Sequence, residues 1–464
     1  LAARRRAVLL VTSSAAFLFP FMGASVNVAL PAIGVGLDMS AVELAWVATS
    51  FLLTSSLLLV PFGRLGDMRG RKRVLTTGVG VYVVGSALAG LSQNGAMLIA
   101  ARAVQGAGGA MLASTAVAIL VSAYGPSERG RVLGINAAAL YSGLSVGPAL
   151  GGFLTYYLGW RAVLLVNVPL GVALFLAALY KLPDQAPDRA ASRFDWRGFA
   201  TYAVFLIGGV YGMTQIPSAR GFIALGVGLA GFLALLRVER ATREPLIDVG
   251  LFRSNISFAM SNLAAFLNYS AFYAATFLLS LYLQVVMGLP PQTAGLVLVS
   301  MPIIQAFVSP AAGRLSDRVE PRVLASSGMA LTACALFIMS RFDATTSVIQ
   351  VAVALATLGL GIGFFSSPNT NAVMTSVDST RYGVASATLS TTRQVGMVLS
   401  MGIATLFIST RIGAANVHEA PVALFVDAMQ STFMLCTFAC LVGIVASVFR
   451  GAIHSSASSN RDSS

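Results

Sequence analysis

The sequence predicts an all-α polytopic membrane protein of fourteen transmembrane helices: two six-helix bundles, two additional helices between them, and both termini in the cytoplasm. Three observations predict it. Of the 464 residues 56% are apolar and only 10% are charged, which would give a soluble domain an aggregating surface. Apolar stretches of about twenty residues, long enough to cross a hydrocarbon core as helices, recur along the whole chain. The segments between them divide Lys and Arg unequally: Arg161, Arg220, Arg341 and Arg411 fall on one side, Arg102 and Arg393 fall within spans, and the other 24 of the 30 share the side of the amino terminus. By the positive-inside rule that side is cytoplasmic. The net charge of +13 is therefore a topology signal, and without a soluble basic domain it makes no case for nucleic-acid binding.

The spans fall at roughly 7–33, 42–62, 74–93, 96–122, 132–157, 160–182, 198–216, 221–237, 256–286, 292–312, 323–341, 347–374, 382–411 and 428–449. The first is too long for a cleavable signal and is followed by further spans, so it reads as a true first helix. It contains GASVNVALPAI, 23–33. Gly63 closes the second span, and GRLGDMRGRKRV, 63–74, then packs five basic side chains and Asp67 into a cytoplasmic loop. The fourth span carries LIAARAVQGAGGAM, 98–111, in which Arg102 and Gln105 share a helix face. A charge within a span is costly and faces a cavity or a partner, so Arg102 either lines a cavity or is pinned to backbone carbonyls of a neighbouring helix. In the fifth, GLSVGPALGG, 143–152, puts Gly143, Gly147 and Gly151 on one flat face that another backbone can approach, and Pro148 favours a bend.

The charged, Pro-containing segment 183–197 is a linker. Two shorter spans and a second charged stretch, 237–253, follow it as an insertion. The expected organisation is thus a first bundle over 1–182, charged linkers with two helices over 183–255, a second bundle over 256–450 and a disordered polar tail over 451–464. The ninth span holds Asn262, Phe266, Tyr269 and Tyr273 at helical spacing. Such a stripe serves helix packing or lines a site for lipophilic ligands, with Asn268 and Tyr269 as candidates. At Gly313 the sequence GRLSDRVEPRV, with Asp317, nearly copies the loop at 63, and six helices plus the inserted pair separate the copies. That spacing is the mark of parallel six-helix halves. Finally, 368–396 places Asn369 and Asn371 near the inner end of one span and Arg393 and Gln394 inside the next, for interhelical hydrogen bonding or cavity lining.

These segments resemble the motifs of the major facilitator superfamily, specifically its fourteen-helix drug:proton antiporter branch, over nearly the whole chain. Gly63, Asp67, Gly70, Arg71 and Lys72 match its loop pattern G-x-L-x-D-x-x-G-R-(K/R). The resemblance implies a cytoplasmic latch, in which the carboxylate caps a helix of the other half and the Arg joins a charge network. The copy with Asp317 lacks the later Gly-Arg-Lys. Arg102 and Gln105 match R-x-x-Q-G, and Gly143, Gly147, Pro148, Gly151 and Gly152 match the antiporter pattern of the fifth helix, which implies a seal between halves on the outer side. Ordinary small-residue packing is the other reading of those glycines. In the first helix Asn27 and Pro31 match, but the register of the family's Asp falls on Met22. The resemblance implies a monomeric secondary transporter of a prokaryotic cytoplasmic (inner) membrane that exports small amphipathic or drug-like compounds by alternating access, coupled to protons. A gradient-independent facilitator of a metabolite or lipid, and a membrane sensor that does not turn over, are the other readings.

No phosphate-cradling G-x-x-x-x-G-K-(S/T) occurs, so ATP hydrolysis within the chain and nucleotide cofactors are not expected. Cys334, Cys436 and Cys440 lie in apolar spans and His418 and His454 lie far apart, so neither a disulfide framework nor a metal site nor an enzyme's constellation is indicated. All 17 acids map to loops or helix ends, with Glu43 at the outer start of the second span and Asp427 at the outer start of the last as the nearest proton carriers. A cavity with Arg102 and Arg393 as its only charges should disfavour cations and accept neutral or anionic amphiphiles.

Overall fold

The structure, a computed structural model, describes residues 2–183, 194–242, 249–316, 318–378, 381–413, 415 and 420–451. The first bundle is built from α1 (Ala2–Leu37), α2 (Ala41–Arg69), α3 (Arg71–Gly90), α4 (Gly95–Ala123), α5 (Pro126–Leu158), α6 (Trp160–Leu165) and α7 (Asn167–Lys181). After it come α8 (Trp196–Gln215), α9 (Ala219–Ala241) and the short α10 (Val249–Ser254). The second bundle is α11 (Ile256–Leu281), α12 (Pro291–Leu298), α13 (Ser300–Leu315), α14 (Pro321–Met339), α15 (Val348–Thr375), α16 (Tyr382–Arg411) and α17 (Val422–Phe449). Among the described residues thirteen spans are long and apolar enough to cross a membrane. The fourteenth, α8, has the length at 20 residues but carries Tyr202, Tyr211, Thr214 and Gln215.

Prolines decide where two spans break. The sixth is two helices because Pro169 lacks an N–H and its ring collides with the carbonyl of Leu165, where α6 ends. Pro302 stands in the same relation to Leu298, where α12 gives way to α13. The second span does not close at Gly63: α2 stays helical to Arg69 and stops at Gly70, whose φ of 96° suits only glycine. Gly63 and Asp67 are therefore helical positions, and α13 likewise runs past Gly313 to Leu315. The last span starts earlier than its apolar core, so Asp427 lies on the second turn of α17.

Within the first bundle α1 packs along α5, and α4 lies between α2 and α3. In the second, α15 packs between α13 and α14, and α11 lies against α16 and α17. Arg450, just beyond α17, is 1% exposed and fastens the inner end of this bundle. It donates to Asn369 Oδ1 at 3.1 Å, Ser447 Oγ at 2.9 Å and the Pro321 carbonyl at 3.1 Å. Helices α8 and α9 pack on each other through Gly208 and Gly228, and α8 leans on both bundles, against α2 and α16. Tyr202 Oη donates to the Ser56 carbonyl at 3.3 Å, and Ser409 Oγ to that of Ile216 at 3.2 Å. The inserted pair thus flanks one side of the junction between bundles, and α5 with α12 forms the other.

Candidate functional site

On the outer side the bundles are joined. Asn27 Nδ2 donates to Thr276 Oγ1 at 3.3 Å, Ser280 Oγ to the Asn27 carbonyl at 2.7 Å, and Gln284 Nε2 to the Val28 carbonyl at 2.9 Å. Just there α11 ends in a π-helical turn, Tyr282–Val286, a distortion common where helices do functional work. On the other flank, a Cβ added to Gly152 would stand 2.4 Å from the Pro291 carbonyl oxygen, and one on Gly295 would stand 2.2 Å from that of Pro148. Only glycine permits two backbones to approach so closely.

On the cytoplasmic side the bundles part. The inner end of α5 buries only the stripe facing α1, Val132 and Asn136, while a Cβ on Gly130 or Gly134 would meet nothing within 4 Å. The start of α16, from Arg381 to Val384, is exposed as well. Asp67 pairs with Arg71 one turn along at 2.9 Å, and Arg5 with Glu128 at 2.9 Å, both within the first bundle. Thus the carboxylate expected to cap a helix of the other half is turned to its own, and the latch made of Gly63, Asp67, Gly70, Arg71 and Lys72 is not engaged across the halves through Asp67. Asp317 lies outside the described residues, as do His418 and His454.

Between seal and opening, five helices bring polar and aromatic side chains together. Tyr141 of α5 lies beside Ser309 of α13, Ser366 of α15, Tyr269 of α11 and Arg393 of α16. The Arg393 guanidinium donates through Nη2 to Thr370 Oγ1 at 2.5 Å and the Ser366 carbonyl at 3.4 Å, and stands 5.4 Å from the Tyr269 ring centroid. Its Nε is buried without a partner, as is Gln394 Oε1. Tyr269 Oη is 3.5 Å from Ser366 Oγ. Asn268 is fully enclosed, and among the described residues neither atom of its amide meets a partner.

Arg102 stands apart from this cluster, 1% exposed and nearer the outer side. Its Nε donates to the Val47 carbonyl at 3.1 Å, Nη1 to Gln105 Oε1, and its charge lies 4.4 Å from the Phe51 ring centroid. Gln105 Nε2 passes the chain on to Ser86 Oγ at 2.7 Å. Of the two readings left by the sequence the pinned one describes Arg102: it is held to a carbonyl of α2, and because it is enclosed it does not line a cavity with Arg393.

Position 22 points elsewhere. Met22 is fully buried inside the first bundle, where Asn167 Nδ2 donates to its sulfur at 3.2 Å and Tyr82 Oη to Asn167 Oδ1 at 3.1 Å. An acid in this register would face Asn167 rather than the midplane cluster. The glycines of α5 divide by register. Gly143, Gly147 and Gly151 press on Phe17, Ala24 and Ser25 of α1 within one bundle, whereas Pro148 and Gly152 face α12 in the other.

Among the described residues no acid stands mid-span. Glu43 is exposed and closes a capping box with Ser40, its carboxylate accepting from the Ser40 amide at 2.9 Å. Asp427 pairs with Arg411 at 3.1 Å, and both are nearly half exposed. Glu43→Gln and Asp427→Asn are accordingly expected to leave both flux and its pH profile unchanged, and a displaced profile in either would identify the proton carrier.

The sequence reading missed Tyr141, Ser309, Ser366 and Thr370. A signal existed for Tyr141, a phenol in the middle of an Ala/Leu-rich span whose hydroxyl needs a partner. Thr370 lies between the two asparagines that drew notice instead, and Ser366 three residues before the first of them.

Two helical bundles joined on one face and parted on the other around a polar midplane cluster define a carrier, not an enzyme. The chain belongs to the Major Facilitator Superfamily, whose profile matches residues 12–401 and, again, 261–463. It is 27% identical over 442 residues to the riboflavin transporter RibZ of Clostridioides difficile, covering 95% of this chain and 96% of that one. It is 30% identical over 402 residues to the multidrug resistance protein Stp of Mycobacterium tuberculosis (85% and 74%). With the cephamycin export protein CmcT of Amycolatopsis lactamdurans it shares 34% over 421 residues (88% and 85%). In fold it matches a bacterial homolog of the human lysosomal transporter Spinster, solved inward-facing and unoccupied, with a TM-score of 0.71 at 15% identity over 96% of this chain and 97% of that one.

Proposed function

We propose that the protein is a secondary active exporter of small amphipathic, drug-like compounds, acting as a monomer in the cytoplasmic membrane of a prokaryote and exchanging its substrate for protons. The observation that carries this reading is the asymmetry of the two faces. The outer seal is neutral hydrogen bonds and glycine contacts, each worth about 1 kcal/mol, so a bound ligand can tip the balance between states. The relatives named for multidrug resistance and cephamycin export support the direction and the class of cargo. A gradient-independent facilitator is the second reading, favoured by Met22 and by the absence of a mid-span acid among the described residues.

Purified protein in liposomes, offered fluorescent amphiphiles with and without an imposed pH gradient, separates the two. Uphill flux abolished by a protonophore is the expected result. Saturable flux that only equilibrates, indifferent to the gradient, moves the assignment to a facilitator. Absence of counterflow for every compound leaves a membrane sensor.

A further inference from the structure

We infer that the midplane cluster selects amphiphiles with an anionic head on a flat aromatic body, and that Arg393 is the residue that selects them. The inference rests on the transport reading only in that the bound compound is taken to be cargo. Three observations carry it. Arg393 has five N–H donors in a planar fork, and among the described residues only Nη2 finds acceptors, while Nε is buried with none. That leaves the N–H groups of Nη1, which meet no acceptor among the described residues, to donate a charge-assisted hydrogen bond to a carboxylate or sulfonate.

The second observation is electrostatic. No carboxylate among the described residues stands mid-span, so nothing in this part of the protein neutralises the guanidinium. A cation held in a low-dielectric environment without a counterion attracts an anion and repels another cation. Arg102 cannot play this part, because its donors are directed to Val47 and Gln105, a phenyl face covers it, and it is enclosed. Third, the surroundings of Arg393 suit a flat body. The Tyr269 ring lies against the guanidinium and Tyr141 comes from the other bundle, so a ligand gripped here touches both halves at once. Contact with both halves is what lets cargo bias a rocking motion.

The test is binding to full-length protein in nanodiscs with three probes that share one body: 1-pyrenebutyrate, 1-pyrenebutanol and 4-(1-pyrenyl)butyltrimethylammonium. Wild type is expected to bind the anion at least about tenfold more tightly than the cation, the worth of one charge-assisted pair. Arg393→Met and Arg393→Gln should each lose about that factor for the anion while holding the alcohol nearly unchanged. The unchanged alcohol shows that the variants are folded. A wild type that prefers the cation or fails to bind the anion overturns the inference, and so do variants that weaken all three probes alike. Counterflow of the alcohol by wild type tests transport separately, so failure of this inference and failure of the transport reading are distinguishable.

Discussion

Alanine at position 152 is expected to drive the protein out of its inward-facing state, whereas alanine at position 147, five residues earlier on the same helix, is expected to weaken the fold instead. The added methyl at 152 would stand 2.4 Å from the Pro291 carbonyl oxygen across the bundle junction, well inside van der Waals contact. The obstacle is backbone, so relief requires α5 and α12 to separate on the outer side. Overpacking of this kind costs about 1–3 kcal/mol, and the cost exists only while the outer face is closed. Each 1.4 kcal/mol shifts the population about tenfold toward the outward-open state. Gly295→Ala should act in the same direction, since its methyl would stand 2.2 Å from the Pro148 carbonyl oxygen. At Gly147 the clash is with the Ala24 Cβ at 2.7 Å, inside the first bundle, and is present in both states. Spin labels at Tyr157→Cys and Thr345→Cys, on the outer ends of opposite bundles, read the difference: G152A and G295A lengthen the distance, and G147A lowers the melting temperature at unchanged distance. Equal effects of all three on stability would mean that the outer contact is not a gate.

Replacing Arg102 with Met is expected to abolish transport while leaving the protein at least as stable to heat. A buried cation without an ion pair carries a desolvation cost of several kcal/mol, and well-packed apolar replacements of buried charges are often neutral or stabilising. Against that gain stands the loss of the bonds to Val47 and Gln105 and of the contact with Phe51. The orphaned Gln105 costs about 1–3 kcal/mol, which the double variant with Gln105→Leu removes. A structural clamp predicts the opposite pattern, with R102M melting well below wild type and flux falling only in proportion to folded protein. Melting curves and liposome flux on the same preparations decide between them.

What the sequence made legible was whatever is written along one dimension. Span count and orientation follow from the length of apolar runs and the bias of Lys and Arg, quantities that need no knowledge of which helix neighbours which. The repeat at Gly63 and Gly313 exposed two halves for the same reason. Pro169 and Pro302 even encoded the breaks in two spans, although a hydropathy reading passes over them. Only tertiary structure could assign directions. It divided the α5 glycines, because residues 147 and 152 sit on different sides of a helix and meet different bundles. It turned position 22 toward Asn167, enclosed Asn268, directed Asp67 to Arg71 and gathered Tyr141, Ser366 and Thr370 around Arg393. Arg450, which in sequence only follows the last apolar span, proved to be a buried fastener of four elements. A span's membership in the membrane is settled by its own composition. The work of each side chain depends on rotation about the helix axis and on the neighbours that fix it, and those come from the packing of distant segments.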